Sequence, residues 1–402
     1  MSRLADLIAE LCPDGVEYRP LGEIADLQRG GGMPKKLFID KGIPAIHYGH
    51  IFTKYGIHTK CAAAYLAPED TDKLTRVYPG DLVVANTSEN LEDVGKGVVW
   101  LGDVEGVTGG HATVVRSLAV DTVFLSYYLR TEDFALKKRK YAQGTKVIEL
   151  SAVNLSKIDI PVPPLEVQRE IVRILDQFTT LEAELEAELE ARRTQYEHYR
   201  NRLLSYDSLS ACGPVDMVEL GSVVTLLDSR RIPLKKGDRV SGEYPYYGAS
   251  GIVDYVDSYI FDEDLLLVSE DGANLKARTK PIAFSSSGRV WVNNHAHVLK
   301  VESSLYQKFL EEYLNSLDLE PYLVGSTQPK LNQSGLLSIP VPLPTERALE
   351  RSVLLLEKLK LFVTDFSSGL PAEIAARRAQ YEHYRDRLLS FPEKAVSRSN
   401  AS

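Results

Sequence analysis

Apolar side chains recur at steps of three and four along two long stretches of the chain. In the first stretch they are Ile171, Ile174, Leu175, Phe178, Leu181, Leu185, Leu189, Tyr196, Tyr199 and Leu203. In the second they are Val353, Leu356, Leu359, Val363, Phe366, Leu370, Ile374, Tyr381, Tyr384 and Leu388. This spacing predicts two amphipathic helices, the first about 40 residues and roughly 60 Å long. Since one apolar stripe on so long a helix requires a partner, we expect the two to form an antiparallel coiled coil with internal pseudo-twofold symmetry.

Prolines mark the start of the first helical stretch and an interruption in the second. Pro161, Pro163 and Pro164 precede the first stretch, and proline favours the first turn of a helix while restricting the residue before it. In the second stretch, Ser-Ser-Gly-Leu-Pro stands at 367–371. Because Pro371 lacks a backbone donor, we expect the second helix to be kinked or broken near residues 367–371.

The segments before the helical stretches carry short β-branched runs separated by Gly, Asn, Asp and Ser turns. Such runs lie at 81–86, 97–101, 113–116, 264–269 and 290–293, with helical patterns at 126–141 and 304–317. This mixture predicts α/β domains. The expected order is a first α/β domain at 1–160, a long helix at 161–206, a second α/β domain at 207–340, a second helical region at 341–391 and a tail at 392–402.

One fourteen-residue block occurs twice. Residues 192–205 read RRTQYEHYRNRLLS and residues 377–390 read RRAQYEHYRDRLLS, so twelve positions match. We call these the first and second polar blocks. Ile-Pro-Val-Pro precedes each helical stretch, at 160–163 and 339–342, and a glycine-hydroxyl loop precedes that, at 144–146 and 325–327. The ordered repetition indicates a duplicated unit.

The polar blocks admit two interpretations. Their tyrosines could belong to the helix seam, with the charged side chains extended into solvent. Alternatively, each block is a docking surface for another protein, which the identity at this polar end favours because a core tolerates apolar exchanges. The candidate docking residues are Arg192, Arg193, Tyr196, His198, Tyr199, Arg200, Arg377, Arg378, Tyr381, His383, Tyr384 and Arg385.

Composition and motifs exclude several function classes. The net charge is −9, so the chain is not a strongly basic nucleic-acid binder, and any DNA contact must use local basic patches. The three cysteines have no metal-site spacing, which suggests a reducing cytoplasm. No signal peptide or bilayer-length apolar run is recognisable. Phosphate-loop, amino-methyltransferase, zinc-protease and serine-hydrolase motifs are absent from the sequence, so we expect neither a catalytic centre nor a metal site.

The ordered motifs are similar to those of one family. They are Pro-Asp-Gly-Val-Glu at 13–17, Gly-Thr-Lys-Val-Ile-Glu-Leu-Ser at 144–151, Gln-Arg-Glu-Ile at 168–171 and Gly-Ser-Thr-Gln-Pro-Lys-Leu-Asn at 325–332. Together with the two Ile-Pro-Val-Pro junctions, they resemble the specificity (S) subunit of type I restriction-modification systems over essentially the whole chain. The second copy departs from this pattern at 344–347, where Pro-Thr-Glu-Arg lacks the glutamine.

The resemblance implies a non-catalytic DNA-recognition and assembly subunit. Two target recognition domains would read the two halves of an asymmetric bipartite site in double-stranded DNA. Two methyltransferase (M) subunits would dock on the chain and use S-adenosylmethionine, and two restriction (R) subunits could add ATP- and Mg-dependent functions. The chain itself would bind no cofactor and no metal. The expected location is the prokaryotic cytoplasm, associated with the nucleoid through DNA, and not a membrane.

Candidate DNA-contacting residues are basic, amide, hydroxyl and aromatic side chains in loops, which can reach base edges and phosphates. In the first domain they are Lys35, Lys36, His47, Tyr48, His50, Lys54, Tyr55, Thr87, Ser88, Asn90, Lys138, Arg139, Lys140, Gly144, Thr145 and Lys146. In the second they are Arg230, Arg231, Lys235, Lys236, Tyr246, Tyr247, Ser250, Asn274, Lys276, Arg278, Ser326, Thr327, Gln328 and Lys330. The competing interpretation of each is an ordinary solvated loop. His111 and His295, which follow equivalent turns, are expected to form structural hydrogen bonds.

A second hypothesis for the whole chain is a coiled-coil scaffold with two protein-binding heads and no DNA role. Low bulk charge favours it, whereas the paired basic loops and the family motifs favour DNA recognition. A cryptic enzyme is a third hypothesis, for which no residue constellation is found.

Overall fold

The computed structural model describes residues 3–325, 328–364 and 369–394, in which helices and strands alternate. In chain order the α-helices are α1 Arg3–Leu11, α2 Leu21–Ile24, α3 Tyr48–Thr53, α4 Thr122–Tyr128, α5 Glu132–Lys138, α6 Ala152–Leu155, α7 Leu165–Leu203, α8 Tyr206–Ser210, α9 Asn274–Ala277, α10 Ser304–Ser316, α11 Gln333–Leu337, α12 Glu346–Thr364 and α13 Leu370–Leu388.

The strands are mostly short. In chain order they are β1 Tyr18–Pro20, β2 Ala25–Arg29, β3 Ile43–Ile46, β4 His58–Thr59, β5 Tyr65–Leu66, β6 Thr75–Val77, β7 Leu82–Ala85, β8 Thr87–Ser88, β9 Gly97–Trp100, β10 Gly106–Thr108, β11 Ala112–Ser117, β12 Ile148–Glu149, β13 Asp159–Pro161, β14 Asp216–Glu219, β15 Thr225–Leu226, β16 Ser241–Gly248, β17 Gly251–Val256, β18 Phe261–Asp262, β19 Leu265–Ser269, β20 Ala283–Ser286, β21 Arg289–Val292, β22 Ala296–Lys300, β23 Leu323–Val324, β24 Lys330–Leu331 and β25 Pro340–Leu343.

The chain forms two compact units that do not follow its linear order. One unit contains Met1–Glu184 and Ile374–Ser402, and the other contains Leu185–Glu373. The long helix α7 therefore begins in the first unit and ends in the second. Each unit holds one α/β domain together with helical segments from both predicted helical regions.

The first unit is built on two sheets. One has the strand order β2-β11-β7-β9-β4 and the other β5-β3-β10-β6. Every residue of β7 and β9 is buried, which explains why these strands have continuous apolar sequences and no alternation. Val83 on β7 lies opposite Val98 on β9 and Val114 on β11.

The second unit repeats the central part of this arrangement. Its sheets have the orders β15-β22-β19-β20 and β17-β16-β21-β18. The fully buried strand β19 pairs with β22 as β7 pairs with β11, and Val268 lies opposite His297. Two-stranded ribbons, β1 with β13 and β14 with β25, join the start of each α/β domain to its Ile-Pro-Val-Pro segment. Proline is tolerated in such ribbons because an edge strand does not require every backbone donor.

The helices pair in an antiparallel manner within the first unit. Phe178 on α7 stacks on Tyr384 of α13 with ring centroids 5.6 Å apart, and one helical turn further along α7 Glu182 pairs with Arg378. Residue numbers thus rise along one helix as they fall along the other. The buried side chains of α7, among them Ile171 and Leu175, join the core of the α/β domain.

In the second unit the later part of α7 packs with α10 and α12. Tyr196 and Leu203 lie against a core that includes Val353 and Leu356 of α12. Lys360 of α12 reaches Glu312, the residue that also accepts from Tyr196. The predicted α/β class, the duplicated architecture and the antiparallel helix pairing are therefore confirmed.

The second helical region contains two helices. α12 ends at Thr364 and α13 begins at Leu370, so Pro371 lies in the first turn of α13, where its missing donor has no intrahelical partner to lose. Residues 367 and 368 of the predicted break lie outside the described residues. Of the helices described here, none is long and apolar enough to span a bilayer.

The described part of the tail pairs with the beginning of the chain. The backbone N–H of Val16 donates to Pro392 at 2.8 Å, and the N–H of Lys394 donates to Val16 at 2.9 Å. Gly15 has φ +93° and approaches the carbonyl of Pro392 so closely that a Cβ there would lie 2.5 Å from it. Residues 395–402 of the predicted tail lie outside the described residues.

Candidate nucleic-acid interface and docking surfaces

In the first α/β domain, two predicted polar loops lie side by side. Strand β8 pairs with β12, which places the loop that follows Thr87 beside the loop 143–149. Gln143 and Glu149 close the second loop with backbone hydrogen bonds of 2.7 and 2.9 Å. Gly144 has φ +111°, and a Cβ at this position would lie 2.0 Å from the carbonyl of Val147, so the turn requires glycine. Six predicted residues are thereby brought together: Thr87, Ser88, Asn90, Gly144, Thr145 and Lys146.

The second α/β domain builds the same loop pair from different residues. Asp271 forms an isolated bridge with Lys330, and β23 pairs with β24 at the base of the loop 325–329. Gly325 has φ +84°, where a Cβ would meet the carbonyl of Gln328 at 2.7 Å. Gln328 and Lys330 are exposed. The predicted residues Ser326 and Thr327 lie outside the described residues.

A histidine connects the central sheet to this loop pair in both domains. His111 Nδ1 lies 3.1 Å from the hydroxyl of Thr87, and His295 Nδ1 lies 2.9 Å from the carboxylate of Asp271. The carbonyl of each histidine accepts a backbone N–H, from Asn86 and from Glu270 respectively. These hydrogen bonds agree with the structural role expected for the two histidines. The histidine therefore has a neutral hydroxyl partner in the first domain and a carboxylate partner in the second.

An aromatic and basic cluster lies beside His111 in the first domain. The ring of His47 is 4.5 Å from that of Tyr48 and 5.4 Å from that of His50, and Tyr48 is 5.0 Å from His111. Tyr55 contacts His50 edge-on at 6.1 Å. The structure thus gathers four predicted residues, His47, Tyr48, His50 and Tyr55, into one contiguous cluster.

The charges around this cluster are positive. Burial, with repulsion from His50 and Lys35, lowers the pKa of His47 to about 4, and burial with Lys54 and Lys35 lowers the pKa of His50. His47 Nδ1 accepts the N–H of Gly49 at 3.1 Å and caps α3, so the neutral ring keeps its proton on Nε2. Within the described ranges, no carboxylate forms an ion pair with Lys35, Lys36 or Lys54.

Lys138 is the predicted basic residue of the first domain whose ammonium lies inside the protein. Its side chain is 2% exposed, and Nζ donates to the carbonyls of Glu92 and Val94 at 3.1 and 2.8 Å. Burial lowers the pKa of Lys138 to about 8. Its neighbours Arg139 and Lys140 are exposed. In this conformation Lys138 supports the domain and does not reach a phosphate.

Several predicted residues of the second domain also make internal contacts. Arg230 pairs with Glu263 at 2.7 Å. The hydroxyl of Tyr246, which is 1% exposed, bonds to the backbone of Leu234. Arg278, at φ +52°, donates to the carbonyl of Leu317. The Asn274 side-chain amide forms hydrogen bonds with Lys280 and Thr279, and Tyr247 stacks on Phe284. Ser250 is half-buried, and Lys276 lies 3.6 Å from the carboxylate of Glu320. Lys235 and Lys236 are exposed.

Arg231 belongs to a buried ionic network. Its guanidinium contacts Asp228 at 3.1 Å and Glu270 at 2.6 Å, and Lys330 contacts Glu270 at 2.9 Å. His297 Nδ1 lies 2.6 Å from Asp228. Nearby positive charge lowers the pKa of both carboxyls against the opposing effect of burial.

This network has the composition of a possible metal site. Ligand atoms of Asp228, Glu270 and His297 lie within 4.8 Å of one another. However, the Arg231 guanidinium bonds to both carboxylates, and a cation so placed supplies the countercharge that a metal would otherwise provide. We therefore interpret the group as an ion network within the protein.

The two polar blocks present the same pattern of exposure. In each block the two arginines, the histidine and the second tyrosine are exposed, whereas the first tyrosine and the arginine that follows the second tyrosine are half-buried. The exposed residues are Arg192, Arg193, His198 and Tyr199 in the first block and Arg377, Arg378, His383 and Tyr384 in the second. The half-buried pairs are Tyr196 with Arg200 and Tyr381 with Arg385.

Local contacts in the blocks are repeated as well. The His198 and Tyr199 rings are 5.7 Å apart at 71°, and the His383 and Tyr384 rings are 5.6 Å apart at 69°. A guanidinium lies over the inner tyrosine ring in each block, at 5.7 and 5.6 Å. The inner tyrosines support the unit, as the first interpretation requires, and the outer side chains are exposed to solvent, as the second requires, although Arg378 also pairs with Glu182 and Tyr384 stacks on Phe178.

A groove adjoins the first polar block. Its volume is about 940 Å³, and it lies between the later part of α7 and α12. Arg192, Arg202, Arg351 and Lys358 form a basic lining, and Tyr199, Leu203, Leu355 and Leu359 contribute apolar surface.

Residues 13–191 and 213–376 match the family described as the type I restriction modification DNA specificity domain. The chain belongs to this specificity family. Each match contains one α/β domain, its loop pair and at least the beginning of the helical region that follows.

Relatives of this specificity chain agree with the assignment. A protein of Haemophilus influenzae named as a type I restriction enzyme specificity subunit is 33% identical over 199 residues, which are 48% of this chain and 51% of that protein. The EcoR124I/EcoR124II specificity subunit of Escherichia coli is 30% identical over 270 residues, 60% of this chain and 65% of that one. The matches thus span about half to two thirds of these relatives' lengths.

Solved structures share the fold of the specificity chain. The S subunit of the type I restriction-modification system from M. genitalium has a TM-score of 0.52 at 18% identity, covering 93% of this chain and 96% of that one. A chain from a structure on complex assembly and conformational transition of the type I R-M system has a TM-score of 0.58 at 16% identity, covering 94% and 98%. At these identities the likeness supports the fold alone.

Sequence reasoning missed three residues that organise the second loop pair of the specificity chain: Asp228, Glu270 and His297. A signal was present, because His297 is a titratable residue inside the apolar strand pattern of β22. Its charged partners come from segments 69 and 27 residues earlier, and no sequence spacing predicts such contacts.

Proposed function

We propose that this chain is the DNA-recognition and assembly subunit of a type I restriction-modification complex. In this proposal each α/β domain reads one half of a bipartite target in double-stranded DNA, and two M subunits dock on the chain. One observation carries the proposal: the two domains hold equivalent loop pairs at the ends of equivalent strands, but with different polar side chains.

The two loop pairs have equivalent backbones but different polar side chains, which supports recognition of two different half-sites. The first domain offers Thr87 and His111, Lys146 on the adjoining loop, and the aromatic and basic cluster around His47. At the corresponding place the second domain offers Asp271 and His295 beside Lys330. Base edges are distinguished by donor and acceptor patterns, so these two sets should prefer different bases.

Local positive charge supports phosphate contact despite the overall charge of −9. Lys35, Lys36 and Lys54 carry no ion pair in the part of the chain that the structure describes, and Lys146 is exposed on the loop 143–149. Lysines of this kind can neutralise phosphates and release counterions. We infer that much of the remaining neutralisation comes from the partner subunits.

The repeated exposure pattern of the polar blocks supports two equivalent docking surfaces. The exposed tyrosine and arginine side chains are of the types enriched at protein interfaces. In this proposal the M subunits bind S-adenosylmethionine and methylate the target, and R subunits, where present, use ATP and Mg²⁺. The chain acts without a catalytic centre or cofactor of its own.

The test is co-expression of the full chain with a cognate M subunit, followed by purification and genome-wide methylation sequencing. The expected result is a complex of two M subunits per chain that modifies one asymmetric bipartite sequence. Exchange of either α/β domain for that of a related chain should change only one half of the sequence. A complex that forms but modifies and binds no DNA would favour the scaffold hypothesis.

A further inference from the structure

His297 is enclosed by hydrogen-bond acceptors on both sides of its ring. The residue is 0% exposed. Its Nδ1 lies 2.6 Å from a carboxylate oxygen of Asp228, and its Nε2 lies 2.7 Å from the backbone carbonyl of Leu331. A backbone carbonyl can only accept, so Nε2 carries a proton. The state of Nδ1 then depends on whether Asp228 is ionised.

The surroundings of Asp228 indicate that it is ionised. One oxygen accepts the backbone N–H of Val298 at 2.9 Å. The other receives the Gln333 amide at 3.0 Å and the Arg231 guanidinium at 3.1 Å, in addition to His297. A carboxyl surrounded by donors on both oxygens is held as the acceptor-only carboxylate. His297 therefore donates from both nitrogens and is a buried imidazolium.

The charges that face this imidazolium come from three segments. Asp228 follows β15, Glu270 follows β19 with its carboxylate 3.8 Å from His297 Nδ1, and Arg231 and Lys330 contact these acids. Two carboxylates thus face three cations, and the network is satisfied without an external ion.

The Leu331 carbonyl, to which His297 donates, lies at the base of the second domain's polar loop, where β23 pairs with β24. Leu331 pairs with Leu323 across the loop, and its own backbone N–H donates to the backbone carbonyl of Glu270 at 2.8 Å. Lys330, the neighbouring residue, points its ammonium to the Glu270 carboxylate at 2.9 Å. The network therefore fixes the backbone of Leu331 and the ammonium of Lys330.

The first domain has a neutral pair at the corresponding place. Thr113 on β11 lies opposite Val84 as His297 on β22 lies opposite Val268. The Thr113 hydroxyl bonds to the amide oxygen of Asn86 at 2.9 Å, and both residues are 0% exposed. The charged network is thus a property of the second domain and offers an internal comparison.

We propose that His297, as a buried imidazolium, is a positioning residue that fixes Lys330 and Leu331 at the base of the second domain's DNA-reading loop. The DNA part of this inference rests on the proposed function. Loss of the charge leaves either Asp228 or the Leu331 carbonyl without its donor, and a buried acceptor without a donor is unfavourable. Lys330 and Leu331 should then be held less firmly, and the half-site read by the second domain should lose affinity.

The charge state is tested on the unaltered full chain by NMR with ¹⁵N-labelled histidine. His297 is assigned from the signals that vanish in His297→Gln. The expected signature is protonation of both ring nitrogens at pH 7.5. A neutral tautomer at His297 overturns the inference whether or not the variant folds.

Hydrogen–deuterium exchange tests the positioning without DNA. In His297→Gln, peptides that cover 323–331 should exchange at least tenfold faster, while those that cover 143–149 are unchanged. Thr113→Val is the matched control, because it removes a buried polar group at the equivalent strand position and should leave 323–331 unaffected. Unchanged exchange at 323–331 in His297→Gln overturns the positioning role.

DNA binding completes the test, with a duplex that carries the target found by methylation sequencing. His297→Gln should bind this duplex about tenfold more weakly, and the difference should disappear when the half-site read by the second domain is scrambled. Faster loop exchange with undiminished affinity overturns the link to DNA reading while the proposed function stands. If the unaltered chain with its M subunits binds no duplex, the proposed function fails, and the NMR and exchange results still decide the positioning role.

Discussion

The hydroxyl of Tyr196 donates a 2.6 Å hydrogen bond to the carboxylate of Glu312. This bond ties the first polar block on α7 to α10 of the second α/β domain, and Lys360 bonds to the same carboxylate at 2.7 Å. Burial and the charge of Glu312 raise the pKa of Tyr196 well above its usual range. The inner tyrosine is therefore a structural member of a block whose outer face is polar and accessible.

Removal of this hydroxyl should cost stability and not docking. Tyr196→Phe is expected to lower the free energy of unfolding of the second unit by about 1–2 kcal/mol, because Glu312 loses one donor in a partly buried place. Urea unfolding with hydrogen exchange of α10 peptides measures this loss. Tyr199→Phe, at an exposed ring in the same block, is the control. An equal loss in both variants would argue against the assigned roles.

The outer tyrosines should control how many M subunits bind. Tyr199→Ala or Tyr384→Ala alone should weaken one docking event at least tenfold and yield complexes with one M subunit, and the double variant should yield none. Native mass spectrometry gives the stoichiometry. Thr194→Ala is a suitable control, because the second polar block has Ala379 at that position. Two M subunits retained on the double variant would assign docking to another surface.

The periodicity predicts the helices, and the duplicated motifs predict the two α/β domains, because these features depend on local pattern. The same reasoning cannot place side chains whose contacts are made with residues far away in the sequence. Lys138 belongs to a run of four basic residues, 137–140, yet its ammonium is buried against the carbonyls of Glu92 and Val94. His297 contacts Asp228 across 69 residues of sequence. Such contacts arise only when distant strands pair.

Lys138 and Lys146 should separate a structural role from a DNA role. Lys146→Gln is expected to weaken binding to all duplexes and to reduce the slope of log K against log salt by about 1. Lys138→Met should leave that slope unchanged but lower the free energy of unfolding by about 1–3 kcal/mol, because two buried carbonyls lose their donor. Salt-dependent anisotropy and urea unfolding on both variants measure the two effects. The opposite assignment of effects would refute the predicted roles.

His47 should make the stability of the first domain depend on pH. Its pKa is about 4 in the folded chain against roughly 6.5 when unfolded, so below pH 6.5 the unfolded state binds the proton that the folded state does not. Stability contributed by neutral His47 is thus complete above pH 6.5 and is lost as the pH falls towards 4. Between pH 6.5 and 5 we expect a loss of about 2 kcal/mol. In His47→Gln this part of the dependence should vanish, whereas His198→Gln, at an exposed ring, should retain it. Urea unfolding at pH 6.5, 5.7 and 5.0 provides the measurement, and this pH range avoids most carboxyl titration. Identical pH profiles of the free energy of unfolding for wild type and His47→Gln would contradict the assignment of His47 as buried and neutral.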